Sequence, residues 1–322
     1  MVFTDATILI TGGTGSWGIE LVTQLLLLDP RKVIIFSRNE NRQVMMRQNF
    51  EDTRLQFSIG DIRDENALSS ACVGVDYVFH LAALKHVPVC EENPLEAIKT
   101  NIVGTQNVIE TSIKNQVKKV IYVSTDKAAD PANTYGMTKA LGEKLILGAN
   151  ELGSLTRFLC IRGGNVLGSS GSVLPIFMRQ LEEENKIRIT DKRMTRYFVT
   201  PKQAIKTLLQ ATELGNGGEI FVMYMNACNI LDLAEVLIEY YNKKNVHILE
   251  TGARVGEKTH EVLVAENEIP MATVFNKDLI KITPVNSTSK TSSIPSILVD
   301  TKQNLMTKQE IKELLVEGGF LK

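Results

Sequence analysis

The run Ala6-Thr-Ile-Leu-Ile-Thr11 passes directly into Gly12-Gly13-Thr14-Gly15-Ser16-Trp17-Gly18, and the helical pattern Ile19 to Leu28 comes next. No other stretch restricts the fold as much. A short continuous apolar run is what a strand covered on both faces requires. Glycines at 12, 15 and 18 form GxxGxxG. This spacing allows a tight turn, a backbone that can approach a pyrophosphate, and a helix N-terminus aimed at its charge. Turns collect glycine for many reasons. Placement between a strand and a helix is what makes this one a dinucleotide loop, with Gly12, Thr14, Gly15, Ser16, Trp17 and Gly18 as candidate contacts.

The rest of the first half repeats the strand–helix alternation. Lys32 to Phe36 is a second strand, ending in Ser37 and Arg38. An NAD site places an acidic residue about 20 positions beyond the loop, on the ribose 2′-hydroxyl. Counted from Gly18, that position is Arg38, with Arg42 one helical turn later. Basic groups there suit the 2′-phosphate of NADP, while Glu40 keeps NAD possible. Leu55 to Ile59 is a third strand, closed by Gly60, Asp61 and Ile62. Asp61 could accept from an adenine amino group or cap the helix starting near Asp64. Tyr77 to Leu81 runs into Ala82 and Ala83, small enough for the backbone to approach a cofactor, and then to Lys85 and His86, within reach of a substrate phosphate or sugar.

A helical pattern from Pro94 to Ser112 carries Asn101, a polar residue that either bonds backbone or water or faces solvent. A strand at Lys119 to Val123, a helix at Tyr135 to Glu151 and a strand at Thr156 to Arg162 complete the alternation. This order predicts an α/β fold with a doubly wound parallel sheet of the Rossmann type. The glycine- and serine-rich Gly163 to Ser172 reads as a substrate loop at a strand's C-terminal end. The helix Thr200 to Leu214 and the strand Glu219 to Met223 are expected to rejoin the first sheet. The predicted division is residues 1–165 with 200–228 as the dinucleotide-binding domain, and 166–199 with 229–322 as a smaller C-terminal α/β lobe for substrate. Ser287 to Ser293 reads as a polar loop, and Thr307 to Val316 as a short amphipathic helix.

Composition excludes several classes. The chain has 322 residues, 43% apolar and 23% charged, and a net charge of −1. A nucleic-acid-binding surface spread over the whole protein is thereby disfavoured. Cys72, Cys90, Cys160 and Cys228 are scattered and lie near no histidine cluster. They read as core residues in a reducing compartment, with no metal site and no disulfides. The start lacks a secretory pattern, and Leu25 to Leu28 is too short an apolar run to span a bilayer. A cytoplasmic protein without a membrane partner is expected.

The chemistry concentrates in Ser124-Thr125-Asp126-Lys127 and Tyr135-Gly136-Met137-Thr138-Lys139. Tyr135 and Lys139 are four apart and share a helix face. A nearby lysine and an oxidised nicotinamide would favour the phenolate, so the pair can take a hydroxyl proton while the carbon gives up hydride. Asp126 and Lys127 add what a plain dehydrogenase does not need. Beside a C4 ketone the C5 proton is acidic enough for a neutral lysine, which requires the Lys127 pKa to be lowered. A protonated Asp126 can then donate to the departing C6 hydroxyl. A 4-epimerase needs only Tyr135 and Lys139, and a non-catalytic dinucleotide-binding scaffold needs none of the set.

The motifs GGTGSWG, FSRNE, GDIRD, HLAALKHVP, STDKAADPANTYGMTK, GNVLG, RMTRYFVT and GARVGEKTHE span almost the whole chain. In them the sequence resembles the extended short-chain dehydrogenases/reductases, and among these the UDP-N-acetylglucosamine 4,6-dehydratases of polysaccharide biosynthesis. The resemblance implies that Thr125 bonds the C4 oxygen, Asp126 is the acid, Lys127 the C5 base, and Tyr135 with Lys139 the redox pair. It implies that Lys85, Asn165, Arg196, Arg254 and Glu257 hold the UDP-sugar, and that the protein is a homo-oligomer. The chain departs from the family pattern at Ser170, Val255 and Met223-Tyr224-Met225-Asn226, where an arginine, a proline and a Pro-Lys pair are usual. Tyr135 looks more like relatives that invert C5, though retention and inversion both stay open.

Overall fold

Strand β1 (Thr7–Thr11) is buried along its whole length, as expected of a strand covered on both faces. It is the third strand from one edge of a nine-stranded sheet. The computed structural model describes residues 2–169, 171–283, 301 and 305–322. Ser170 and the segment Ser287 to Ser293 lie outside the described residues.

In chain order the elements are β1, α1 (Ser16–Leu26), β2 (Lys32–Ser37), α2 (Glu40–Phe50), β3 (Leu55–Ile59), α3 (Glu65–Ala71), β4 (Tyr77–His80), α4 (Val87–Glu92), α5 (Pro94–Ile98), α6 (Gly104–Lys114), β5 (Lys119–Thr125), α7 (Thr134–Gly148) and β6 (Arg157–Gly163). They continue with β7 (Asn165–Val166), α8 (Val173–Glu183), β8 (Lys186–Ile189), β9 (Thr195–Val199), α9 (Pro201–Leu214), β10 (Ile220–Met223), β11 (Asn226–Asn229), α10 (Ile230–Tyr240), β12 (His247–Glu250), β13 (Ala272–Val274), β14 (Leu279–Ile282) and α11 (Lys308–Glu317). The sheet order is β13-β14-β10-β6-β5-β4-β1-β2-β3. Strands β1 to β6 pair in parallel, and β10 joins β6 in parallel, Ile220 opposite Cys160. The doubly wound α/β sheet expected from the sequence is therefore present, and residues 220–223 lie in it beside β6.

Two departures matter. The helical pattern from Pro94 to Ser112 is split by a π-turn at Lys99–Val103 between α5 and α6. Residues 272–282, expected in the C-terminal lobe, extend the large sheet instead. There β14 pairs antiparallel with β10, and β13 with β14. The edge of β10 would otherwise present unpaired backbone groups, and this hairpin covers them.

A second apolar core forms apart from the sheet, around Leu174, Phe177 and Leu181 of α8, Leu233 and Leu237 of α10, and Ile311 and Leu315 of α11. All four cysteines are buried and unbridged. Among the described residues no helix is long and apolar enough to cross a membrane, and no cluster of His, Cys, Asp and Glu is placed to hold a metal ion.

Candidate active site

A cleft of about 550 Å³ opens at the C-terminal ends of β1, β2, β4, β5 and β6, the position at which open α/β sheets bind ligands. Its floor is the glycine loop. Gly12 has φ +70°, and a Cβ there would lie 2.9 Å from the Ala82 backbone. A Cβ on Gly18 would lie 2.1 Å from the Gly13 oxygen. These two glycines are required by the packing of the protein itself. Gly15 is different, since a Cβ would come no closer than 3.4 Å to its nearest neighbour. Its bare backbone faces the cleft at the start of α1, which has neither a side-chain cap nor an acidic residue in its first turn. Uncapped amides at a helix N-terminus fit a dinucleotide pyrophosphate.

At one end of the cleft the Ser37 hydroxyl accepts from Thr14 at 3.3 Å and from Gln43 at 3.0 Å. Arg38, Asn39 and Arg42 line the same end. Arg38 lies 3.6 Å from Asp61, whose carboxylate Arg63 engages at 2.7 Å. Burial pushes the Asp61 pKa up, but Arg63 and then Arg38 outweigh it and hold the group below the usual carboxylate range. Asp61 does not cap α3. That task falls to Asp64, which accepts from the amides of Asn66 and Ala67.

At the other end β5 delivers Ser124 and Thr125 to the cleft, and a 3-10 turn at Asp126–Ala128 extends from it. Helix α7 starts against this turn because Gly136 has no Cβ. One would lie 2.4 Å from the Lys127 oxygen. Asp126 is 2% exposed. Its Oδ1 accepts from the Thr125 hydroxyl at 2.8 Å, from the Lys127 amide at 2.9 Å and from Lys127 Nζ at 3.1 Å. Its Oδ2 is buried without a partner, as is the Ser124 hydroxyl. Such orphaned polar atoms are costly unless a bound group satisfies them.

The electrostatics differ from the sequence expectation. The base role read from the sequence requires a Lys127 pKa depressed toward neutrality. Burial does act that way, but Asp126 at 3.1 Å and Glu261 at 3.3 Å overcome it and hold Lys127 above its ordinary range. The catalytic lysine that is lowered is Lys139, brought to about 7 by burial. Its Nζ donates to the Val123 oxygen at 2.6 Å and lies 3.7 Å over the Tyr122 ring. Tyr135 is pushed up to about 12 by burial, against the opposing pull of the Lys127 charge and a hydrogen bond with Thr125. The cation favouring the Tyr135 phenolate in this structure is thus Lys127, where the sequence pointed to Lys139.

The cleft is lined by Gly12, Thr14, Gly15, Ser16, Trp17, Gly18, Ser37, Arg38, Asp61, Ile62, Ala82, Ala83, Lys85, His86, Thr125, Lys127, Tyr135, Lys139 and Asn165. Burial lowers the pKa of Lys85, and burial with the Lys85 charge lowers that of His86. Four candidates lie off the lining: Asp126, buried behind Thr125 and Lys127, and three residues read as holding the UDP-sugar. The Arg196 guanidinium donates to the backbone oxygens of Thr195 and Lys258, each at 2.8 Å. Arg254 and Glu257 pair with each other at 3.8 Å. They sit on a loop that docks on the start of α7, where Asn133 donates to the Gly256 oxygen at 2.9 Å and Lys258 meets Asp130 at 2.5 Å. Glu261 was missed, although it ends the GARVGEKTHE motif. Nothing local in a polar loop identifies the residue that will face Lys127.

Residues 8–283 match the family described as polysaccharide biosynthesis protein. The chain is 44% identical over 272 residues to the inverting UDP-N-acetylglucosamine 4,6-dehydratase of Campylobacter jejuni, covering 83% of this chain and 80% of that protein. It is 43% identical over 277 residues to a UDP-glucose 4-epimerase of Rickettsia rickettsii, covering 84% and 81%. A crystal structure of Pen from Bacillus thuringiensis superposes with a TM-score of 0.94 at 39% identity, covering 100% of both chains. The chain therefore belongs to the polysaccharide biosynthesis protein family, within the extended short-chain dehydrogenases/reductases that include nucleotide-sugar dehydratases and epimerases.

Proposed function

We propose that the protein is a UDP-N-acetylglucosamine 4,6-dehydratase that forms a 4-keto-6-deoxy sugar nucleotide, with NADP as its cofactor. The observation that carries this reading is the Asp126–Lys127 contact of 3.1 Å beside Tyr135, with Asp126 Oδ2 unpartnered. A nicotinamide dinucleotide bound along the glycine loop would accept the C4 hydride and later return it to C6. Tyr135 takes the C4 hydroxyl proton, with Thr125 bonded to the same oxygen. Passing one proton from Lys127 to Asp126 arms both groups for the elimination. Lys127 is then neutral and removes the C5 proton, Asp126 donates to the departing C6 hydroxyl, and C5 takes up a proton as the hydride returns to C6. Lys139, held beneath the site by Val123 and the Tyr122 ring, would contact the bound cofactor as an ammonium.

Arg38, Arg42 and Ser37 support NADP over NAD, because they would surround a 2′-phosphate. The second core, built on α8, α10 and α11, would carry the UDP-sugar lobe. Arg254, Glu257 and Arg196 would act from its loops, and Lys85, His86 and Asn165 from the facing wall. The enzyme would work in the cytoplasm as a homo-oligomer. The name of the Campylobacter relative favours inversion at C5. The Rickettsia relative keeps one competing reading open, a 4-epimerase.

One incubation separates the two. Purified protein given UDP-N-acetylglucosamine without added reductant is expected to yield product lighter by a single water, with no net cofactor reduction. A C4 epimer at unchanged mass would establish the epimerase instead. Mass spectrometry of the nucleotide extracted from the protein distinguishes NADP from NAD, and the C5 signal in deuterated water reports inversion or retention. Lys127→Ala is expected to stop water loss while leaving cofactor and UDP-sugar affinity within about threefold. Normal turnover by that variant would remove Lys127 from the chemistry.

A further inference from the structure

Lys127 lies between two carboxylates, and the dehydration chemistry uses only one of them. Glu261 Oε1 is 3.3 Å from Lys127 Nζ, and the two side chains are 3% and 18% exposed. The segment carrying Glu261 is fixed on both sides. Its amide donates to the Thr301 hydroxyl at 2.9 Å, and the Thr301 amide donates to the Glu261 oxygen at 3.1 Å. Arg196 grips the preceding backbone at Lys258 and Thr259 and stands 3.7 Å from the Glu261 carboxylate. The groups facing Glu261 are therefore Lys127, Asp126 and Arg196, with Tyr135 beyond Lys127 and His260 beside it in the chain.

We propose that Glu261 is a positioning residue that keeps a fixed negative charge against Lys127 throughout the elimination, so that the ammonium formed on proton abstraction has a counter-charge. The inference rests on the dehydratase reading, and the charges explain the need. Once Asp126 has taken a proton from Lys127, it is neutral and cannot also serve as counter-ion. In the elimination the C5–H bond breaks and its proton goes to Lys127. The C5=C6 bond forms, and C6–O breaks with the Asp126 proton leaving in water. Positive charge grows on Lys127 while Asp126 is still giving up its proton. Burial raises the Glu261 pKa, and the facing Lys127 and Arg196 charges oppose that rise. With Asp126 neutral, Glu261 is the carboxylate left to carry the charge, and preorganised charges in a buried site act most strongly on developing charge.

The test uses the holoenzyme and Glu261→Gln. Solvent-deuterium exchange at C5 is expected to fall about 100-fold, while C4 oxidation, read as transient cofactor absorbance, stays near wild type. A neutral amide no longer holds the ammonium charged, so the rising limb of the C5-exchange pH profile should move to lower pH. Glu261→Asp should recover most of the rate. Exchange at the wild-type rate would overturn the proposal. So would a slowed exchange whose pH limb has not moved, because a purely structural loss leaves that limb in place.

A second readout needs no substrate. In protein labelled with carbon-13 at lysine, Lys127 should lose its ammonium shift at lower pH in Glu261→Gln than in wild type; identical titrations would sink the idea. If the wild type releases no water from UDP-N-acetylglucosamine, the substrate reading has failed, and this titration still decides the contact. Should Glu261→Gln not fold, Glu261→Asp carries the test. Exchange above about a tenth of wild type supports the role, and loss as complete as in Lys127→Ala refutes it.

Discussion

Lys127 and Lys139 share one cleft, yet their surroundings drive them in opposite directions. Lys139 is buried against an aromatic ring and a backbone oxygen, and its strongest counter-charge, Glu143, is too weak to offset the burial. Lys127 touches two carboxylates. A lysine whose folded pKa is about 7 has released its proton where the unfolded chain still holds one, up to about 10.4. Stability therefore rises as pH climbs through that window, and the full penalty applies below it. Lys139→Met is expected to stabilise the cofactor-free protein by roughly 2–4 kcal/mol near pH 6, with the gain shrinking toward pH 9 and catalysis abolished. Urea unfolding at several pH values checks this, and a gain that does not vary with pH would contradict it. The spacing of Tyr135 and Lys139 was legible because a helix repeats every three to four residues. The state of Lys127 was not, because the deciding carboxylate arrives from position 261 by way of the tertiary fold.

At the scale of elements, parallel strands were the most legible feature, since continuous apolar runs bounded by glycine and charge mark them out. The π-turn at Lys99–Val103 was hidden by an unbroken helical periodicity, but its occupant Asn101 was visible as a polar residue in a buried pattern. Of the roles open to it, the structure selects backbone clamping. Its Oδ1 accepts from the Leu84 amide at 2.8 Å, and its Nδ2 donates to the Leu84 oxygen and to the Thr138 hydroxyl, both at 2.9 Å. The wider turn brings the amide within reach of the strand end behind Ala82 and Ala83, and ties that wall of the cleft to α7. Asn101→Leu leaves these groups unpaired, so a loss of about 2–3 kcal/mol is expected, with weaker cofactor binding through the loosened wall. Thermal unfolding and dinucleotide titration measure both effects; unchanged affinity in a destabilised variant would show that the clamp serves stability alone. The region from Val173 to Val199 was the least legible, because α8, β8 and β9 bury their apolar residues against α10 and α11, partners far away in sequence.

For the whole molecule, the question is what joins the C-terminal segment to the sheet that carries the cleft. Strands β13 and β14 do so by pairing, and Arg162 does so by charge. Arg162 is 1% exposed; it meets Glu143 of α7 at 2.6 Å and Glu268 of the 266–271 turn at 2.7 Å, and donates to the Leu263 oxygen at 2.9 Å. In the sequence Arg162 merely ends a strand, with its partners 19 and 106 residues away. Removing one member of a buried ion set strands the others, so Arg162→Met is expected to cost about 3–5 kcal/mol. Replacing the whole set with apolar residues removes the stranded charges as well. The triple variant Arg162→Met, Glu143→Leu, Glu268→Leu should therefore recover at least half of that loss in denaturant unfolding. It should not recover activity. Glu143 lies one helical turn beyond Lys139 and its charge opposes the lowering of the Lys139 pKa, so its loss leaves Lys139 more firmly neutral. A triple variant as unstable as Arg162→Met would mean that the set is held together by geometry the apolar residues cannot reproduce. One that regains both stability and turnover would show that the charge on Glu143 has no part in the chemistry.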